Sequence, residues 1–294
     1  MFILNLLALI LIQFVLKFPV INTFSRPLEV FFSKIFSSIL LILVGVYSIP
    51  YKFKRIDKKK QPNIIITSQS TFIDWFVLMN NYCPKFLAIV KSKDNKSDYF
   101  IELSYCDLIF YALGLPFPQV TDKNKYTKFN FDKYILEPNH VPLVIFPECT
   151  KTNRHGILTI RSNLLDVVYK LLLSHDKLIL RSEIVINKEG IYNTTDKYGF
   201  VFLFNMCCRY LTKVEIISQD IPHETFDINE VEYSKEKFPT VQMYLDSNLQ
   251  QYLMDLNHRN SVNLSWKDHI EFLDYYKKTS GDSKGDYVKE GKKF

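Results

Sequence analysis

Short apolar runs alternate with amphipathic stretches along most of the chain, from residue 62 to residue 255, and residues 257–276 are ambiguous. The apolar runs are rich in β-branched and aliphatic residues and predict buried strands, at residues 63–67, 86–90, 141–146, 178–186 and 213–218. Apolar residues at helical spacing predict a helix that begins near Ser70 and further helices, at residues 98–113, 159–174 and 237–256. Strands that alternate with helices predict an α/β domain with a mostly parallel sheet flanked by helices.

Residues 1–50 have a different pattern. An apolar run up to Leu16 carries no charged side chain, and a second apolar run follows at residues 35–49. Each uninterrupted run is about 15 residues long, which is shorter than the ~20 residues that span a bilayer. The region is open to three interpretations: a cleaved signal peptide, two buried core helices, or a membrane anchor. A basic n-region and a small-x-small cleavage site are both missing, which weighs against the signal peptide.

A basic cluster at residues 51–61 favours the anchor. It holds six Lys or Arg residues and one Asp, and such clusters next to an apolar segment stay cytoplasmic and attract anionic headgroups. We therefore expect an N-terminal membrane-anchoring helical segment in residues 1–50, as a hairpin or as one to two helices. A basic juxtamembrane linker (51–61) and a cytosolic α/β domain (62–276) would follow it. The polar tail, residues 277–294, is expected to be disordered.

Composition excludes several classes of function. The chain has 37 Lys and Arg against 31 Asp and Glu, an excess too small to indicate nucleic-acid binding. Its 8 glycines weigh against a glycine-rich phosphate loop. Five cysteines occur without any C-x-x-C pattern, which weighs against a disulfide framework or a zinc site. We expect free thiols and no bound metal.

Polar residues follow two of the predicted strands. The strand at 63–67 runs into a first block, Ser68 to Trp75, and the strand at 141–146 runs into a second block, Phe146 to Gly156. In open parallel sheets ligands bind beyond the carboxyl ends of the strands. The two blocks are therefore the candidate site.

These blocks resemble the first and third motifs of the glycerolipid acyltransferases of the 1-acyl-glycerol-3-phosphate acyltransferase (PlsC-like) superfamily. The family's motifs are Asn-His-x-x-x-x-Asp and Phe-Pro-Glu-Gly-Thr. The second block matches the third motif and its Asn-Gly extension, at Phe146, Pro147, Glu148, Thr150, Asn153 and Gly156. The resemblance covers about residues 60–190, and the anchor and basic cluster are also typical of the family. The fungal lysophosphatidic acid:oleoyl-CoA acyltransferases are the branch that the chain resembles most.

The first block departs from the family motif. Ser68 stands at the family's Asn and Gln69 at its His, whereas Asp74 matches the Asp. In the family, the His is the general base for the acceptor hydroxyl, and the Asp orients it. An amide does not accept a proton near neutral pH, so the base is left open. His155 is a candidate base; the alternative interpretation is an exposed loop histidine. Cys149 is a candidate acyl-accepting nucleophile; the alternative interpretation is a structural thiol.

The resemblance implies a glycerol-3-phosphate acyltransferase-like fold and a set of site positions. Catalytic positions are Asp74 and Gln69. Substrate-binding positions are Phe146, Pro147, Glu148, Thr150, Asn153, Gly156 and Gly114, the last of these at the end of a weaker block.

The activity implied is transfer of a fatty acyl group from acyl-CoA to a lysophospholipid, with lysophosphatidic acid giving phosphatidic acid. Acyl-CoA is a co-substrate, and no metal or tightly bound cofactor is implied. Expected partners are acyl-CoA, a lysophospholipid and membrane lipids; nucleic acid is not expected as a partner. The expected location is the endoplasmic reticulum membrane or a lipid droplet. Because Gln69 replaces the His, the alternative is an impaired acyltransferase-fold protein that binds lipid or acyl-CoA and acts in membrane or lipid-droplet trafficking.

Overall fold

The structure is a computed structural model. It describes residues 25–54, 62–68, 72–91, 98–104, 107, 128–136, 141–147, 156–157, 168–169, 171–172, 175, 178–187, 213–222, 241–257 and 260–261. The first apolar run, most of the basic cluster and the polar tail lie outside these ranges. What the sequence predicts for them stays a prediction.

The described helices and strands follow one another along the chain. They are α1 (Ser25–Leu43), β1 (Tyr51–Lys54), β2 (Ile64–Thr67), α2 (Phe72–Tyr82), β3 (Lys85–Lys91), β4 (Asp98–Leu103), α3 (Phe131–Leu136), β5 (Leu143–Ile145), β6 (Gly156–Ile157), β7 (Leu180–Asn187), β8 (Val214–Ile221), α4 (Val241–Asn257) and β9 (Asn260–Ser261). Residues 168–169 and 171–172 are also helical.

Seven strands form one sheet in the order β1-β8-β7-β2-β5-β3-β4. The pairs β1–β8, β7–β2, β2–β5 and β5–β3 are parallel, whereas β7–β8 and β3–β4 are antiparallel. This arrangement confirms the predicted α/β class with a mostly parallel sheet. A second, two-stranded sheet joins β6 to β9 in parallel.

Helices cover both faces of the large sheet. On the face that we call the first face, side chains such as Ile65 and Val144 pack against α1 and α2. On the second face, Ile64 and Ile66 pack with α3 and α4. Neighbouring residues of β2 thus point to opposite faces, and both faces are buried, which is why the strand reads as an unbroken apolar run.

Helix α1 contains most of the second apolar run. Its inner side buries Phe36, Leu40 and Leu41 in the core of the first face, as the buried-helix interpretation expects. The helix ends in a Schellman motif, because the amide of Val46 donates to the Leu41 carbonyl at 2.8 Å and Gly45 has a φ of 81°.

In the part of the chain that the structure describes, no helix has both the length and the apolar composition needed to cross a membrane.

The predicted strands are confirmed, with ends shifted by a few residues, and so is the C-terminal helix. The helix predicted at 98–113 is wrong over Asp98–Leu103, which form β4, antiparallel to β3. The apolar residues there are buried on both faces: Ile101 joins the first face and Phe100 the second. Because apolar residues point to both faces, they do not alternate with polar residues as in a half-buried strand, and their positions also fit the spacing of a helix. The linker interpretation of residues 51–61 also misses a strand, since β1 pairs with β8.

Candidate functional site at the carboxyl ends of strands β2 and β5

The two blocks begin side by side. Strands β2 and β5 are hydrogen-bonded parallel neighbours, with Ile64 opposite Leu143 and Ile66 opposite Ile145. Their carboxyl ends therefore reach the same edge of the sheet, which we call the carboxyl edge, and so do those of β3 and β7. Ser68 leaves β2 and Phe146 leaves β5 at this edge.

The described part of the first block is buried. Thr67 ends β2 with no exposed surface, and Ser68 is also buried. Helix α2 starts at Phe72 and carries Asp74 in its first turn, where the helix dipole favours a carboxylate. Asp74 is only 1% exposed. The predicted orienting carboxylate is thus held beneath the edge of the sheet by a rigid element.

Aromatic rings connect the two blocks. The centre of the Phe146 ring lies 6.2 Å from that of Trp75, the residue after Asp74. It lies 6.3 Å from the centre of the Phe86 ring, and the planes of Phe146 and Phe86 are within 2° of parallel. Both Phe146 and Pro147 are buried. Offset and tilted ring pairs at these separations are favourable. The start of the second block therefore packs against Trp75 on the helix that carries Asp74 and against β3.

The far end of the second block is tied to the C-terminal part of the chain. Gly156 pairs with Asn260, and Ile157 pairs with Ser261. Helix α4 leads to this strand and packs on the second face through Leu249 and Leu253. The remaining predicted site residues lie outside the described residues and stay predictions: Gln69, Gly114, Glu148, Thr150 and Asn153. The same holds for His155 and Cys149.

A cluster of buried polar side chains lies on the first face beside the first block. We call it the polar cluster; its members are Tyr82, Arg181, Glu183, Ser218 and Asp220. Glu183 is the register neighbour of Thr67 across β2–β7 and has no exposed surface. Its Oε1 accepts hydrogen bonds from the Tyr82 hydroxyl and, at 3.0 Å, from the Ser218 hydroxyl. Its Oε2 is buried and has no hydrogen-bond partner among the described residues.

An ion pair completes the cluster. Arg181 Nε donates to Asp220 Oδ1 at 2.6 Å, and Nη2 donates to Oδ2 at 3.4 Å. Burial raises the pKa of Glu183 to about 7, although the hydrogen bonds from Tyr82 and Ser218 and the charge of Arg181 lower it. Burial also raises the pKa of Tyr82, so its phenol stays protonated and remains a donor. Glu183 therefore changes charge near neutral pH.

The sequence contains a signal for this cluster that the strand prediction passed over. Arg181 and Glu183 are two positions apart in an otherwise largely apolar strand. Residues two apart share a face, and a charged residue is almost never fully buried without a partner. Two ionisable residues on one face of a buried strand thus indicate polar partners on the elements packed against it.

Within the described ranges, no group of three metal-binding side chains comes together. Cys83, at the end of α2, is a free buried thiol that donates to the Met79 carbonyl at 3.2 Å.

No family model and no curated protein matches the sequence. Among solved structures, the fold is similar to the crystal structure of the 1-acyl-sn-glycerophosphate (LPA) acyltransferase PlsC from Thermotoga maritima. The similarity covers 86% of this chain and 89% of that chain, with 12% sequence identity and a TM-score of 0.42.

Proposed function

We propose that the protein is a membrane-bound acyltransferase that moves a fatty acyl group from acyl-CoA to a lysophospholipid, with lysophosphatidic acid as the acceptor. One observation carries the proposal. The two blocks whose residues resemble acyltransferase motifs begin at the ends of adjacent parallel strands, β2 and β5. They are also in ring contact through Trp75 and Phe146. The edge of an open parallel sheet is where such folds bind their ligands.

In the proposed reaction the acceptor hydroxyl attacks the thioester carbonyl. A new acyl–oxygen bond forms, the acyl–sulfur bond breaks, and the hydroxyl proton ends on the thiol of the released CoA. Gln69 donates hydrogen bonds but does not take up this proton. The thioester is already activated, so the site acts chiefly by positioning, which supplies about 7–11 kcal/mol in well-oriented reactions. Asp74, buried in the first turn of α2, is the described residue assigned to that task.

The outer side of α1 supports the proposed membrane binding. Phe31, Ile35, Ile39 and Ile42 recur at helical spacing and are exposed, Phe31 by 57%. They form an apolar stripe opposite the side that packs into the core. A helix with one exposed apolar side lies in the plane of the interface. The stripe would place the domain on the lipid surface where a lysophospholipid resides, at the endoplasmic reticulum or a lipid droplet.

The proposal is tested by purifying the full chain in detergent and following labelled oleoyl transfer from oleoyl-CoA to a panel of lysophospholipids. Asp74→Asn keeps the size of the side chain but loses its charge, and is expected to lower kcat/KM about 10²-fold. Glu148→Ala is expected to lose transfer as well. Asp255→Asn is the control, because Asp255 is exposed on α4, which packs on the opposite face.

Transfer by the wild type that both site variants abolish, and that the control keeps, supports the enzyme. Thermal unfolding of each variant separates loss of chemistry from loss of fold. No transfer to any acceptor, from folded protein, contradicts the proposal. Mutating the stripe to serine is expected to weaken binding to anionic liposomes in a flotation assay, whatever the outcome for transfer.

A second candidate function follows from Gln69. If the missing His has ended catalysis, the fold would bind acyl-CoA or a lipid and serve in membrane or lipid-droplet trafficking. Binding of oleoyl-CoA without transfer, measured on the same protein by equilibrium dialysis, distinguishes this function from the first.

A further inference from the structure

The polar cluster connects the two elements on either side of the first block. Glu183 lies in register with Thr67, the last residue of β2 before Ser68 and Gln69. It also accepts a hydrogen bond from Tyr82, the last residue of α2. Asp74 lies eight positions earlier on that helix, about 12 Å along its axis. Glu183 is therefore the register neighbour of the strand before the block, and its carboxyl group is hydrogen-bonded to the helix after it.

We propose that Glu183 is a positioning residue for the first block: through the Tyr82 hydroxyl it holds α2, and with it Asp74 and Trp75, against the end of β2. The inference rests on the proposed function only insofar as Asp74 acts in transfer. The position of α2 can be measured whether or not the protein transfers an acyl group.

The groups that face Glu183 decide which charge state holds the helix. Tyr82 reaches it from α2, Arg181 and Asp220 lie on β7 and β8, and Tyr51 approaches from β1. Arg181 is already paired with Asp220, and burial keeps the phenol of Tyr51 protonated by raising its pKa. Negative charge on Glu183 would leave Oε2 without a compensating hydrogen bond in a site closed to water, which is costly. The neutral carboxyl is therefore the form that fits.

Ionisation should loosen α2 as the pH rises. Because the pKa of Glu183 is about 7, the helix is held below that pH and shifts above it. Glu183→Gln keeps the shape and an acceptor oxygen for Tyr82 and Ser218 but never ionises. It should hold the helix at every pH.

Trp75 provides a readout that does not depend on activity. The chain has two tryptophans, so the Trp266→Phe variant leaves Trp75 as the only tryptophan, which is excited selectively at wavelengths where tyrosine does not absorb. Its ring lies against Phe146 and reports the contact between the blocks. We expect its emission to change with a midpoint near pH 7. In Glu183→Gln it should stay at the low-pH value, and in Tyr82→Phe at the high-pH value throughout.

Tyr169→Phe is the matched control. Its hydroxyl is also buried and also donates to a carboxylate, Asp246 Oδ1 at 2.9 Å, but it lies on the second face. It should leave the Trp75 titration as in the wild type. A titration that persists in folded Glu183→Gln, or a folded Tyr82→Phe variant with the wild-type signal, overturns the proposal.

Kinetics provide the second readout. Tyr82→Phe should lower kcat about 10²-fold by displacing Asp74 while KM for lysophosphatidic acid hardly changes, because the loss falls on the transition state. Glu183→Gln should restore activity above pH 7. If the wild type transfers no acyl group, the proposed function fails, and the fluorescence titration still decides the role of Glu183.

Discussion

Strands β2 and β7 are hydrogen-bonded neighbours at the centre of the sheet, and both are buried, but they carry opposite chemistry. On the first face, β2 presents Ile65 and Thr67, whereas β7 presents Arg181 and Glu183. The apolar strand needs only complementary packing. The polar strand needs partners, because an unpaired buried polar group is costly. The comparison teaches that equal burial does not mean an equal role: β2 is scaffold up to its end, whereas β7 carries a carboxyl group that changes charge near neutral pH.

The largest expected effect concerns the end of β2, where the block that resembles an acyltransferase motif lacks a base. Gln69→His should raise turnover by about 10²–10⁴-fold, the usual contribution of a general base. Oleoyl-CoA binding should change little, because the substitution acts on proton transfer. Initial rates and equilibrium dialysis measure the two quantities.

Gln251→His is the control, since Gln251 is exposed on α4. If Gln69→His leaves turnover unchanged, the end of β2 is not the site of proton transfer. That result would favour the second candidate function, lipid or acyl-CoA binding without catalysis.

The next effect tests the ion pair that joins Arg181 of β7 to Asp220 of β8. Arg181→Ala leaves Asp220 without its cation; their side chains are 5% and 21% exposed. Breaking a buried pair in this way should lower the free energy of unfolding by about 3–5 kcal/mol. Urea denaturation measures it.

Lys85→Ala is the comparison variant, because Lys85 forms an ion pair with Glu102 at 3.3 Å and both side chains are more exposed. That change should cost about 1 kcal/mol or less. Equal losses in the two variants would mean that the pair between β7 and β8 is as solvated as the surface pair.

The next prediction concerns the pH dependence of stability, to which β7 contributes through Glu183 and β2 does not, since β2 has no group that titrates. The pKa of Glu183 is about 7 in the folded protein and about 4.3 when unfolded. Folded protein thus binds the proton more tightly, so its stability is full below pH 4 and falls as the pH rises to 7. The loss is about 4 kcal/mol, at about 1.4 kcal/mol per pKa unit.

Glu183→Gln removes this loss, so its advantage over the wild type should grow between pH 4.5 and pH 8. Urea unfolding at each pH gives the difference, and Glu102→Gln, at an exposed carboxyl, is the control. A constant difference between wild type and Glu183→Gln across the series would show that the carboxyl does not titrate in this range.

Elements whose pattern follows burial were predictable. The runs at β2 and β5 are apolar because both faces of the sheet are covered, and the polar residues after them located the candidate site. Asp74 was assigned from its place in a motif, and the structure gives it a helix turn and burial.

The sequence could not show which residues that are distant along the chain contact each other in the fold. Tyr82 and Glu183 are 101 residues apart, and the charged residues of β7 do not show which distant side chain pairs with Glu183. Strand β4 was missed for a related reason: its apolar residues divide between two faces, so the strand showed no alternation. Strand β1 was hidden by its lysines, of which Lys52 is exposed but pairs with the buried Glu215 at 2.5 Å.

The smallest effect asks whether β2 and β7 differ in packing as well as in chemistry. Ile65 on β2 and Ile184 on β7 are both fully buried, and each loses one methylene group on mutation to valine. Such a deletion costs about 0.5–1.5 kcal/mol in a well-packed core. If the strands differ only in the polar groups they present, Ile65→Val and Ile184→Val should destabilise the protein equally in urea. A much smaller loss for Ile184→Val would mean that β7 packs more loosely than β2 on the face opposite the polar cluster.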